Sequence, residues 1–194
     1  LLSCNVGELF IVSIAALAFP SQPLPLTALQ ILYLNLVTDV FPALALGVGE
    51  GDERMMERPP REPGEPILGR PQWTMVAGFG GLLTAVVLVT YYLALYRLGY
   101  PDEQTVTISF LTLAFAQLWH VFNMRSSGTS RWNNDITRNP FVWGALVLCT
   151  VLMLIVVYVP PLAAAVDVVR PGATGWGIAL GASLIPTVLG LLRP

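Results

Sequence analysis

Six apolar runs, each near the length of a membrane crossing, dominate the sequence. They fall at roughly 1–19, 26–46, 73–96, 105–121, 141–159 and 176–192. A helix needs about 20 apolar residues to cross the hydrocarbon core, and in lipid the backbone must satisfy its own hydrogen bonds. The expected fold is therefore all-α, a bundle of six transmembrane helices embedded in a lipid bilayer. Composition agrees. Charged residues make up only 11% of the chain and hydrophobic ones 55%, against about 25% charged in ordinary soluble domains.

The connections set the expected topology. Residues 20–25 are few and uncharged, which predicts a tight hairpin between the first two helices. Residues 47–72 form a long polar loop, and 160–175 are rich in Pro and small residues. All ten basic residues are Arg. Arg54, Arg58, Arg61, Arg70, Arg125, Arg131, Arg138 and Arg193 fall on one face if there are six crossings, and only Arg97 and Arg170 on the other. Cytoplasmic loops carry the excess of basic residues. Loop 47–72 and the C-terminus are therefore expected in the cytoplasm. A net charge of −2 with no concentrated basic patch points away from nucleic acid. The chain begins at Leu1 inside an apolar run, without the charged start of a signal peptide, and reads as a piece of a longer protein.

Cys4 and Cys149 lie within apolar runs and read as small buried hydrophobes. Gly78, Gly80 and Gly81 in the third run, and Gly177 and Gly181 in the sixth, are candidates for close helix contact, because small residues let backbones approach in lipid.

Two acidic residues, Glu8 and Asp39, stand inside the apolar runs. A carboxylate at the centre of a spanning helix costs at least about 2.5–3.5 kcal/mol. No intramembrane Arg or Lys is available to neutralise either one. Asn5 and Glu8 are spaced i, i+3 on the first helix; Asn35, Thr38 and Asp39 are spaced i, i+3, i+4 on the second. At about 1.5 Å per residue, Glu8 lies roughly 16 Å from the outer end of its helix, Asn35 and Asp39 roughly 14 and 20 Å from theirs, and Gln117 of the fourth helix roughly 18 Å in. Three helices thus offer side-chain oxygens at one depth. Pro42 has no amide hydrogen and clashes with the carbonyl four residues back, so the second helix is expected to unwind near it and free backbone oxygens. Carboxylates, amide oxygens, a hydroxyl and loosened carbonyls are a ligand set for a hard cation. No Cys/His cluster invites a soft metal. His120, three residues after Gln117, is either a packing residue or a group that titrates beside the site.

The segments Asn5-Val6-Gly7-Glu8 and Asn35-Leu36-Val37-Thr38-Asp39, followed by Pro42, resemble the fifth and sixth transmembrane helices of P-type cation-transporting ATPases. The likeness is to calcium pumps of the sarcoplasmic/endoplasmic reticulum kind and their bacterial relatives. The run Met56-Glu57-Arg58-Pro59-Pro60-Arg61, with Pro63, Glu65 and Pro66, is similar to the cytoplasmic loop after that sixth helix. The resemblance implies that the chain is the C-terminal membrane region, helices five to ten. It implies that Asn5, Glu8, Thr38 and Asp39 bind a first Ca²⁺, with Asp39 bridging to a second served by Asn35. Where the family's eighth helix supplies a Glu to the first site, this chain has Gln117, which leaves one ion per cycle, Mn²⁺ or Na⁺ open. The resemblance also implies that Arg58 and Arg61 couple the loop to a phosphorylation domain. That domain, with its ATP and Mg²⁺, and the preceding helices would lie in the rest of the pump. There is no Asp-Lys-Thr-Gly-Thr motif here, so this segment alone is not expected to hydrolyse ATP. Proton countertransport and a bacterial plasma membrane complete the expectation. Two other readings stay open on the residues alone: a free-standing six-helix channel or secondary transporter, and a scaffold whose carboxylates stay protonated.

Overall fold

The computed structural model describes residues 1–48, 68–124 and 134–191. Among the described residues all regular structure is helical. Helix α1 is Leu2–Ala18, and the second span comprises α2 (Ala28–Leu34), a π-helical turn (Asn35–Val40) and α3 (Phe41–Gly47). The third is α4 (Arg70–Tyr92), closing in a second π turn (Leu93–Arg97). The fourth is α5 (Asp102–His120) with a 3₁₀ turn to Met124. A short α6 (Asp135–Arg138) precedes α7 (Pro140–Tyr158); a short α8 (Pro160–Ala165) precedes α9 (Gly172–Leu191). Five spans, at Ala28–Gly47, Arg70–Arg97, Asp102–Met124, Pro140–Tyr158 and Gly172–Leu191, are long and apolar enough to cross a membrane; Leu2–Ala18 is apolar but shorter.

Local chemistry sets the starts of these helices. Thr27 caps α2: its hydroxyl accepts from the Gln30 amide at 3.2 Å, and Gln30 Oε1 accepts from the Thr27 amide at 3.1 Å. Gln30 is buried and also donates to the carbonyls of Val166 and Asp167. That fastens the segment after α8, where Asp167 takes a left-handed backbone. Asn139 caps α7 by accepting from the Phe141 amide at 2.9 Å, and Pro140 needs no donor partner at that first position.

Helix α5 is the centre of the bundle. Every residue from Thr105 to Leu118 is buried. Two of its hydroxyls are satisfied within the helix: Ser109 donates to the Thr105 carbonyl and Thr112 to that of Ile108. Helices α4 and α9 pack on it, and α7 touches it.

The predicted hairpin of the first two spans does not form as a packed pair. Helix α1 packs chiefly on α4, while α3 packs on α7. Gln117 of α5 stands between them, hydrogen-bonded to Glu8 on one side and to Thr38 on the other. The α1–α4 contact is close at Gly80, where a Cβ would stand 3.0 Å from Val6 Cγ1 and 3.1 Å from the Ser3 carbonyl oxygen. Gly81, Gly177 and Gly181 face nothing within 4 Å, so the sixth-helix GxxxG is not a contact here. Gly80→Leu is expected to cost about 1–3 kcal/mol by forcing α1 from α4. Gly81→Leu should be neutral. Thermal unfolding in detergent checks the pair, and equal midpoints would remove the close-contact assignment.

The unwinding expected near Pro42 is also corrected. The chain stays helical through Pro42, which occupies the first turn of α3. The disturbance moves one turn earlier, into the π turn Asn35–Val40. A wider turn takes the upstream carbonyls away from the proline ring and absorbs the missing amide without breaking the helix.

Candidate functional site in the membrane interior

The π turn carries Asn35, Thr38 and Asp39. Thr38 and Asp39 are buried, and so is Glu8 on α1. Gln117, from the buried face of α5, joins the two helices. Its Nε2 donates to Glu8 Oε1 at 2.8 Å, and its Oε1 accepts from Thr38 Oγ1 at 2.7 Å. Thr38 Oγ1 also reaches the Leu34 carbonyl at 2.8 Å. Asn35 stands against the Glu8 carboxylate, and Asp39 lies within its electrostatic reach. The Asn35 Oδ1 is buried and has no donor among the described residues, a condition that native interiors usually avoid.

The structure thus brings together Glu8, Asn35, Thr38, Asp39 and Gln117. Asn5 stands apart: it lies one turn before Glu8 and is exposed. Arg58 and Arg61 fall outside the described residues. The described arginines Arg70, Arg97, Arg138 and Arg170 all stand at or beside helix ends. Among the described residues, neither carboxylate therefore has an arginine beside it within its span.

A cavity of about 100 Å³ opens beside these groups, lined by Cys4, Thr38, Asp39, Pro42, Gln117 and His120 among others. It is large enough for several waters. His120 has partners on both ring nitrogens: Nε2 lies 3.3 Å from Ser3 Oγ, and Nδ1 lies 3.3 Å from Asn123 Nδ2. Its ring packs on Phe79 at 4.5 Å. His120 is a packed residue that also forms one wall of the cavity.

Among the described residues no group of three or more His, Cys, Asp or Glu could hold a metal. A cation here would meet a mixed shell of two carboxylates, amide oxygens and a hydroxyl. All are oxygen donors, which suits a hard cation and not a soft one. Two contacts behind this shell leave little trace in the amino-acid sequence. Cys149 Sγ donates to the Val37 carbonyl at 3.0 Å, and Tyr33 Oη donates to the Leu152 carbonyl at 2.8 Å. Tyr33, the one Tyr of the second span and two residues before Asn35, was the available signal for the second of these contacts.

Helical spans around a buried, uncompensated pair of carboxylates define an integral, multi-pass membrane protein with a polar centre. Comparison with known families makes this specific. Residues 23–194 match the family described as "Cation transporting ATPase, C-terminus". The chain belongs to that family, as a C-terminal membrane region of a P-type ATPase. It is 37% identical over 97% of its length to a calcium-transporting ATPase of Bacillus subtilis, and 33% identical over 97% to calcium-transporting ATPase 1 of Bacillus cereus. It is 28% identical over 98% to calcium-transporting ATPase 2 of Schizosaccharomyces pombe. The chain spans 21%, 23% and 15% of those three relatives.

Proposed function

We propose that this chain is the ion-binding and translocating membrane part of an ATP-driven calcium pump. Glu8 and Asp39 supply the charge. Asn35, Thr38 and Gln117 supply neutral oxygens, and exposed Asn5 joins them from the side where the preceding helices of the pump would pack. The observation that supports this reading is the Glu8–Gln117–Thr38 chain of hydrogen bonds, which links the Glu8 carboxylate to the π turn that also carries Asp39. The calcium-transporting relatives support the choice of ion.

The pump's ATP, Mg²⁺ and phosphorylation chemistry belong to the parts of the relatives that this chain does not span, so the segment alone hydrolyses no ATP. Arg58 and Arg61 couple loop 47–72 to the phosphorylation domain. Calcium leaves in exchange for protons that occupy the same carboxylates. The Arg distribution and the bacterial relatives support a bacterial plasma membrane with loop 47–72 and the C-terminus in the cytoplasm.

The test is ATP hydrolysis by the complete pump in proteoliposomes, titrated separately with Ca²⁺, Mn²⁺, Na⁺ and K⁺. Stimulation by Ca²⁺ at roughly micromolar levels, as for cytosolic calcium sites, is expected. A response to Mn²⁺ or Na⁺ alone would replace the ion and keep the pump. An active preparation indifferent to every ion would end the reading.

A further inference from the structure

Three hydrogen bonds tie the second span to α7, and they fall in one antiparallel register. Tyr33 Oη donates to the Leu152 carbonyl at 2.8 Å, Cys149 Sγ to the Val37 carbonyl at 3.0 Å, and Asn139 Nδ2 to the Ala45 carbonyl at 3.0 Å. Moving up the second span through 33, 37 and 45 moves back along α7 through 152, 149 and 139. One bond lies before the π turn, one on it and one after it.

The middle bond has a specific cause. In a π turn the amide of residue i bonds the carbonyl of residue i−5. Pro42 stands just past this turn, in the first turn of α3, and has no amide hydrogen to give; on the i−5 spacing of the turn before it, the carbonyl left without that donor is Val37's. A carbonyl left bare in a membrane interior is costly. Cys149, fully buried on α7, replaces the missing donor with its thiol. The two residues that follow Val37 are Thr38 and Asp39.

We infer that α7 is a brace that holds the π turn open, with Cys149 as a positioning residue for Thr38 and Asp39. This rests on the reading of Asp39 and Glu8 as cation ligands. If the turn closed to α geometry, the residues on one side of it would rotate by about 100° relative to those on the other, one step of a 3.6-residue turn. Asp39 and Gln117 would then no longer meet at one place. Serine in place of Cys149 keeps a donor at similar volume; alanine removes it.

The experiment compares wild type, Cys149→Ser, Cys149→Ala and Tyr33→Phe in the complete pump. It reads the Ca²⁺ concentration for half-maximal ATP hydrolysis separately from the maximal rate. Cys149→Ala is expected to raise that concentration about fivefold to tenfold, the scale of one lost buried hydrogen bond. The maximal rate should hold within about twofold of wild type, and Cys149→Ser should keep the wild-type concentration. Tyr33→Phe, which keeps the ring and drops one flanking bond, should shift it in the same direction by less. Equal shifts for Ser and Ala, or no shift in Ala and Phe, would overturn the positioning role. Infrared difference spectra between wild type and Cys149→Ser test the contact itself. The S–H stretch should lie at the lowered frequency of a hydrogen-bonded thiol, and a free-thiol frequency would overturn the brace whichever ion is pumped. A wild type that ignores Ca²⁺ would instead overturn the pump reading, with the S–H band still deciding the contact.

Discussion

Asp39→Asn in the complete pump is expected to abolish calcium-stimulated ATP hydrolysis at ordinary calcium levels, raising the half-maximal concentration by at least about a hundredfold, or about 2.7 kcal/mol. The substitution keeps volume and an oxygen but removes one of two charges. Affinity for a hard divalent ion depends strongly on how many ligand charges the site provides. In a buried setting the remaining carboxylate, Glu8, cannot borrow compensation from solvent. Stability should change little or rise, because a buried charge with no basic partner has been removed. Calcium titration of hydrolysis, paired with thermal unfolding, separates the two effects. Retained calcium stimulation in Asp39→Asn would show that Asp39 holds no ion and would favour carboxylates that stay protonated.

Gln117→Glu should change how the site responds to acidity. In the present arrangement Gln117 Nε2 donates to Glu8 Oε1 at 2.8 Å. A carboxyl at 117 can make that bond only by keeping a proton, so the two facing carboxyls would hold one proton between them. A divalent ion entering the site would displace it. Metal affinity coupled to proton release rises with pH. The variant's half-maximal calcium concentration should therefore fall as pH rises, more steeply than wild type by up to about tenfold per pH unit. Once the shared proton is gone, the extra charge should leave the variant with the higher affinity. Parallel pH profiles would mean that Gln117 does not share the ion's surroundings. Calcium-45 uptake and hydrolysis measured at each pH read the effect.

The helices were legible because apolar runs of membrane length admit few other structures. The buried carboxylates were legible for a related reason: Glu8 and Asp39 are costly where they stand, and no Arg or Lys shares their runs. Spacing was a weaker guide. Three residues turn a helix by about 300°, so Asn5 sits about 60° off the Glu8 direction, and the structure leaves it exposed. The effect of Pro42 was legible, its location was not. Whether a proline breaks a helix or widens the preceding turn depends on a donor for the stranded carbonyl, and Cys149 comes from a helix about a hundred residues later. Glycine motifs misled in the same way. A GxxxG offers close approach but does not name a neighbour, and Gly80 has one where Gly181 does not.

Glu8 and Asp39 ride on helices fastened to different neighbours, α1 to α4 and the second span to α7, and their hydrogen-bonded link runs through Gln117 on the buried α5. In evolutionary terms, that makes position 117 a separable unit of inheritance. Its side chain can be exchanged among residues of similar size without redesigning any surface that faces lipid. If Gln117 meets the ion as proposed, a single substitution on this one interior helix would alter ionic preference while the outer framework remains unchanged.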